Sequence, residues 1–287
     1  MLDQAESLRR LANGELSVSK RNKTKIITIT SGKGGVGKSN FVVNLAINLV
    51  KKGKRVLIFD ADIGMGNDDV LMGIYPKYSV LDLINGSLAI EDIIVEGPEG
   101  IKLLPGGSGL NNIEDLEQTQ REIFLRKIEM LEGFDYIFID TGAGISRSVL
   151  AFISCCDEVI LVTTPEPTSL TDGYSLLKAV NHFKIKTKAN IVVNKVLEKK
   201  EGEKTFLKLK TAVNRFLALE INYLGYIFDD RKITMSVRNQ LPFIIGYPYC
   251  DASKCIEEIT IKILGNSNDI DGSGAKGLFK RLFSIFS

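Results

Sequence analysis

The residues best equipped for chemistry lie between Gly32 and Asn40, in the run Gly-Lys-Gly-Gly-Val-Gly-Lys-Ser-Asn. Gly32, Gly37, Lys38 and Ser39 fit the spacing G-x-x-x-x-G-K-[ST], in which small residues let backbone N–H groups converge on phosphate oxygens at a helix N-terminus. In that pattern Lys38 reaches the β- and γ-phosphates of a nucleotide and the Ser39 hydroxyl ligates Mg²⁺. A second stretch, Asp135 to Gly144, is an apolar run ending in Asp140, an acid suited to hold Mg²⁺ through water. The glycines of Asp140-Thr141-Gly142-Ala143-Gly144 make it a flexible element suited to sense a γ-phosphate. Asp60 and Asp62 follow a third apolar run, and carboxylates just past a strand's C-terminal end stand where open α/β sheets bind ligands. Together these residues describe a site for Mg²⁺ and ATP.

The elements that must position them are legible in the same way. Ile26 to Ser31 reads as a buried strand, followed by a helix from about Lys38 to Lys52 that ends at Gly53, a left-handed cap. Lys54 to Phe59 reads as a second strand, and residues 68 to 132 as mainly helical, broken by one strand at Ile101 to Leu104. Further strands are expected at Asp157 to Thr164, Ile191 to Lys195 and Asn222 to Phe228. A long amphipathic helix is expected over 199 to 219, with Phe206, Leu209, Val213 and Phe216 inside and its lysines outside, and a closing helix over Ala252 to Leu264. Strands alternating with helices predict an α/β fold: a doubly wound, mostly parallel sheet with helices on both faces.

Composition narrows the class. With 287 residues, 44% of them hydrophobic and 25% charged, the chain can build one large core. A net charge of +2 gives no reason to expect nucleic acid as a partner. No apolar run of about eighteen residues marks a transmembrane span, and the polar N-terminus does not read as a secretory signal. Cys155, Cys156, Cys250 and Cys255 form no C-x-x-C pair and have only His182 for company, so buried free thiols in a reducing cytoplasm are expected rather than zinc.

The C-terminal stretch follows its own pattern. Residues 265 to 277 have linker composition. In a helix beyond them, Leu278, Leu282, Ile285 and Phe286 share one face, with Phe279 and Phe283 at its edge and Lys276, Lys280 and Arg281 toward the other side. Such a helix suits the surface of an anionic membrane; packing onto the domain core is the alternative use of the same stripe. One tail grips weakly, and pairing two raises avidity by about 10² to 10⁴. The expected organisation is an N-terminal helix and basic linker over 1–24, a nucleotide-binding domain over 25–265, a linker over 266–275 and an amphipathic helix over 276–287.

Lys33-Gly-Gly-Val-Gly-Lys-Ser39 resembles the deviant Walker A motif of the MinD/ParA family of ATPases. The resemblance covers essentially the whole chain and implies an ATP-dependent homodimer in which Lys33 crosses the interface to the phosphates held by the other subunit. Gly32, Gly34, Gly35, Val36, Gly37 and Asn40 complete the implied ATP-binding loop around Lys38 and Ser39. It further implies that Asp62 orients or deprotonates the attacking water, with Asp60 supporting it near the metal. Glu166, in Thr-Pro-Glu, would lie near the ribose of the opposite subunit, and Asn194 would hydrogen-bond the adenine edge, for which an amide offers both donor and acceptor. The family usually has proline where Phe228 stands, in the wall of the adenine pocket.

Asp3-Gln4-Ala5-Glu6-Ser7-Leu8-Arg9 is similar to the D-Q-A-x-x-L-R motif of MinD-like flagellar-number regulators, where it stimulates FlhF, a signal-recognition-type GTPase. Asp3, Gln4, Ala5, Leu8 and Arg9 are the residues so implied as partner-binding. Flagellar switch or basal-body components are the further partners implied, and the implied location is cytoplasmic, on the inner face of the cell membrane. Two alternatives share the loop: a ParA-like partition ATPase that binds DNA, and a MinD-type regulator of the division site. An iron-protein-type reductase would need cluster cysteines in the loop or the switch, and neither contains one.

Overall fold

The computed structural model describes residues 24–62, 66–86, 88–107, 117–128, 131 and 133–265. The expected partner motif at residues 3–9, the linker at 266–275 and the amphipathic helix at 276–287 lie outside the described residues.

The described chain runs β1 (Lys25–Ser31), α1 (Lys38–Lys51), β2 (Val56–Ala61), α2 (Asp68–Met72), α3 (Val80–Asn85), α4 (Ile90–Ile93), β3 (Val95–Glu96) and β4 (Lys102–Leu104). It continues through α5 (Gln118–Ile128), β5 (Tyr136–Ala143), α6 (Arg147–Cys155), β6 (Glu158–Thr163), α7 (Pro167–His182), β7 (Lys188–Val196), α8 (Lys199–Phe216), β8 (Glu220–Phe228), α9 (Arg231–Arg238), α10 (Phe243–Gly246) and α11 (Asp251–Gly265). The strands form one sheet in the order β3-β4-β2-β5-β1-β6-β7-β8, parallel except for β3, which runs antiparallel to β4 at the edge. The chain is thus the doubly wound, mostly parallel α/β fold that its alternation of elements predicts.

Every residue of β1 is buried, as a strand covered on both faces requires. Phe59, Phe152, Leu161, Leu177 and Phe206 belong to the core on one side of the sheet. Phe41, Leu45, Phe138, Ile160 and Ile256 belong to the core on the other. β1 lies between β5 and β6, where the winding reverses direction, so the loop leaving β1 opens at the crevice where such sheets bind ligands. Register sets Asp60 of β2 directly beside Asp140 of β5. Two residues of the sequence determine how α1 is delimited: Gly37 at its N-cap has φ 88°, and Gly53 beyond its end has φ 79°, both in the left-handed region that glycine enters freely.

Two expectations need correction. Among the described residues of 68–132, where helices α2 to α5 are broken by β4 as expected, a further edge strand, Val95–Glu96, is not among the expected elements, and α2, α3 and α4 are only four to six residues long. Phe216 does not face the core. It is the last residue of α8, 65% exposed, with the Arg215 guanidinium 5.2 Å from its ring centroid, whereas Phe206, Leu209 and Val213 are buried as the periodicity predicts. Among the thiols, Cys155, Cys156 and Cys255 are buried and Cys250 is half-buried, and all are free.

Candidate nucleotide-binding site

The loop from Gly32 to Gly37 connects the central strand to α1. Gly32 and Gly37 are glycines by necessity of space: a Cβ on Gly32 would stand 2.2 Å from the Asp172 carbonyl carbon, and one on Gly37 would stand 2.3 Å from Asn194 Nδ2. Gly34 and Gly35 face open space, and Gly35 has φ 75°, so its requirement is conformational. Asn194 is buried and braces the loop from β7, its Nδ2 donating to the Val36 carbonyl at 2.8 Å and its Oδ1 accepting from the Lys195 N–H at 2.8 Å. The amide read from the sequence as an adenine reader is therefore occupied by the loop itself in this geometry.

Below the loop is a buried floor. Lys38 Nζ donates to Asp140 Oδ1 at 2.6 Å, and the two side chains are 7% and 2% exposed. Burial disfavours the Lys38 ammonium, but the charge and hydrogen bond of Asp140 outweigh it and hold the lysine above its ordinary pKa. Burial pushes the Asp140 carboxyl up, against the pull of Lys38 and of a hydrogen bond from Ser39. Asp60, the neighbour of Asp140 in register, is pushed up to about 7, first by burial and then by the charge of Asp140. Its Oδ1 accepts from the Asp62 N–H at 3.1 Å, and Gly66 closes over it so tightly that a Cβ there would stand 2.2 Å from Oδ2. The Asp62 carboxylate turns toward the end of β5, where a Cβ on Gly142 would stand 3.1 Å from its Oδ1. The Gly144 N–H donates to the Ser31 carbonyl at 2.8 Å, tying the end of β5 to the entrance of the loop.

A cavity of about 500 Å³ opens over this floor, lined by Gly34 to Phe41, Asp62, Asn67, Ala143, Asn194 and Lys195 on one side. Its other wall is Ile227, Asp229, Asp230, Ile233, Val237 and Phe243. Phe228 is not in that wall; its ring packs edge-on to Tyr226 at 5.1 Å. Asp60 lines a neighbouring cavity of about 310 Å³ with Gly66, Tyr78 and Asp82. On the rim, Lys33 Nζ reaches Glu166 Oε2 at 3.3 Å and Thr168 Oγ1 at 3.0 Å, with Lys33 and Glu166 41% and 61% exposed. The two residues assigned to a facing subunit by resemblance are thus neighbours on one exposed edge.

Part of the floor and the whole apolar wall are not singled out by sequence reasoning. Asp68, the first residue of α2, is completely buried with neither carboxyl oxygen hydrogen-bonded, and its carboxyl is pushed well up by burial and by the charges of Asp140 and Asp60. Lys195, at φ 56°, donates from Nζ to the Gly35 carbonyl at 2.8 Å and so holds the loop from outside. Among the described residues no three His, Cys, Asp or Glu side chains are spaced to hold a metal by themselves.

The "AAA domain" family model matches residues 24–193. The chain is 36% identical over 288 residues to the flagellum site-determining protein YlxH of Helicobacter pylori, covering 96% of each chain. It is 35% identical over 240 residues to the antiactivator FleN of Pseudomonas aeruginosa, covering 83% of this chain and 86% of that one. The chain belongs to the MinD/ParA family of ATPases, in its FlhG group. Among solved structures, the MinC:MinD cell division protein complex of Aquifex aeolicus matches with TM-score 0.68 and 26% identity, covering 84% of this chain and 96% of that one. MinD of Pyrococcus horikoshii, solved with Mg-ADP, shares the fold at TM-score 0.65 and 23% identity, covering 86% of this chain and all of that one.

Proposed function

We propose that this MinD/ParA-family chain is a Mg-dependent ATPase that pairs with a second copy when ATP is bound and, so paired, associates with membrane to regulate flagella. The observation that carries the reading is the division of labour on one loop: Lys38 is turned to a buried acidic floor and Lys33 to an exposed rim beside Glu166. A lysine that the chain's own phosphate site does not require, held at an exposed edge of that site, is suited to a nucleotide in a facing copy. Similarity to proteins named for flagellar site determination and flagellar antiactivation supports the biological setting.

The residues present fit the nucleotide and its metal. The cradle excludes side chains at Gly32 and Gly37, and Ser39 and Asp140 are the side chains that would hold Mg²⁺. Bound there, Mg²⁺ would supply charge neutralisation for the phosphates. Lys38 exchanges its hold on Asp140 for phosphate oxygens, and Ile233, Val237 and Phe243 give the base an apolar wall. Asp62, at the mouth of the cavity against Gly142, takes the proton of the attacking water. Glu166 meets the partner's ribose. The N-terminal residues Asp3 to Arg9 engage an FlhF-type GTPase, and the apolar face of 276–287 engages anionic lipid, weakly singly and firmly as a pair.

Co-sedimentation with vesicles containing phosphatidylglycerol tests the proposal, comparing the full chain with one ending at Gly274, each with ATP or ADP. The expected result is pelleting of the full chain with ATP, several-fold above ADP, and its loss on truncation. Equal pelleting with both nucleotides, or no effect of truncation, overturns the nucleotide-gated anchor.

A further inference from the structure

Helix α1 carries Lys38 and Ser39 in its first turn, and most of what it presents further along is apolar core, including Phe41, Val42, Leu45, Ile47 and Leu49. Two amides interrupt that core, Asn44 and Asn48, 1% and 4% exposed and one helical turn apart on the same face. A buried amide is costly unless both of its ends are answered, and packing alone is served better by leucine. Asn44 is answered at both ends. Its Nδ2 donates to the Asn40 carbonyl at 2.8 Å, within its own helix, and its Oδ1 accepts from the Ile244 N–H at 2.9 Å, 200 residues away in the chain. The two bonds fix which way the amide points, because a flipped amide would set donor against donor and acceptor against acceptor.

Ile244 belongs to α10, a single turn whose first N–H groups have no acceptor within the helix. Asn44 supplies that acceptor from α1, and the residue next to Ile244 is Phe243, which lines the cavity with Ile233 and Val237. Lys51, near the end of α1, adds a second tie by donating from Nζ to the Ile244 carbonyl at 3.3 Å. One helix therefore presents the phosphate-binding residues at its head and holds the apolar wall at its flank. We infer that, given the nucleotide site proposed above, Asn44 is a positioning residue for the base: its bond to Ile244 sets the distance between the phosphate loop and the Phe243 wall. Asn44 does not touch the nucleotide. Asn48 makes the corresponding bonds to Glu257 and Thr260 of α11, at 2.8 and 2.9 Å, and no residue of that helix lines the cavity. The same residue type on the same helix face thus serves the site at one position and packing at the next.

Calorimetric titration of the full chain with Mg-ADP, and with magnesium tripolyphosphate, which has phosphates but no base, tests this in wild type, Asn44→Leu, Asn44→Ser, Asn48→Leu and Phe243→Ala. The expected result in both Asn44 variants is a loss of ADP affinity of at least about tenfold with tripolyphosphate affinity within about twofold of wild type, because an unanswered Ile244 N–H shifts the wall and spares the loop. Phe243→Ala gives the same selective loss. Adding Asn44→Leu to it costs less than about threefold more, since a residue that acts through the wall then has nothing left to act on. Asn48→Leu keeps the wild-type ratio of the two affinities, whatever it does to the urea midpoint. Equal losses for both ligands in the folded Asn44 variants overturn the inference, because a purely structural role predicts that pattern. Losses from Asn44→Leu and Phe243→Ala that multiply, read from ADP alone, also overturn it, as does a selective loss in Asn48→Leu. Asn44 variants that bind ADP as wild type does overturn it while leaving the nucleotide site standing; a wild-type chain that binds neither ligand ends both the inference and the proposed function.

Discussion

Lys33 and Lys38 belong to one glycine-rich loop, five residues apart, and live in opposite surroundings. Lys38 is sealed against Asp140 in a floor of acids, where each charge depends on the others. Lys33 leans across open surface to Glu166 and Thr168, in solvent that screens the pair and lets it exchange partners at little cost. The difference teaches which contacts are part of the fold and which are available for assembly. A buried ion pair cannot be dismantled without stranding a charge, whereas a half-exposed lysine can leave its acid for a phosphate on another molecule.

Lys38→Ala gives the largest effect that breaks this contrast. It strands Asp140 without its cation, so nucleotide binding is lost by at least about 100-fold and the fold itself loses about 3–5 kcal/mol, read by fluorescent-nucleotide titration and urea unfolding. A variant that unfolds at the wild-type midpoint contradicts the buried half of the comparison. Asp62→Ala comes next: turnover measured by phosphate release drops about 10²- to 10⁴-fold while the folded chain still binds ATP. Normal turnover removes Asp62 from the chemistry.

The acidic floor also sets a pH response smaller than either. Asp60, pushed up to about 7, keeps its proton in the folded chain at pH values where an unfolded aspartate, near 3.9, has lost its own. Between those values the folded chain binds more protons, so stability falls as pH rises through that window, and Asp140 and Asp68 push in the same direction. Without metal or nucleotide, the melting temperature should be higher at pH 5.5 than at pH 7.5, and Asp60→Asn should flatten the difference. A melting temperature that rises toward pH 7.5 would show that the cluster is ionised and balanced in some other way. Smallest of all is Lys33→Ala, which should leave the stability of the single chain within about 0.5 kcal/mol of wild type by urea unfolding.

How far the sequence discloses this arrangement depends on whether a residue acts through spacing or through packing. The loop and the alternation that builds the sheet are properties of spacing, and the structure has them where the spacing predicts, while β2 runs on through Asp60 to Ala61 and β5 past Asp140 to Ala143. The cavity's apolar wall is different, because Ile233, Val237 and Phe243 come from α9 and α10 and meet the loop only once the sheet has wound. The family resemblance puts the position of Phe228 in the wall of the adenine pocket, but strand alternation turns Phe228 away and Ile227 toward the cavity. Asp68 is not legible for a related reason: next to Asp69 and after Asn67 it reads as ordinary turn and helix-start chemistry, and its burial exists only in the fold. Phe216 misled through its apparent helical period, which places it on the buried stripe just where the helix ends.

The central claim is that the exposed lysine completes a site on a second copy of the chain. Sedimentation velocity of the full chain with Mg²⁺ and a non-hydrolysable ATP analogue tests it most directly, with Lys33→Ala alongside. The account predicts a dimer for wild type and a monomer of undiminished fold for the variant; a wild-type chain that stays monomeric when saturated with the analogue would contradict it.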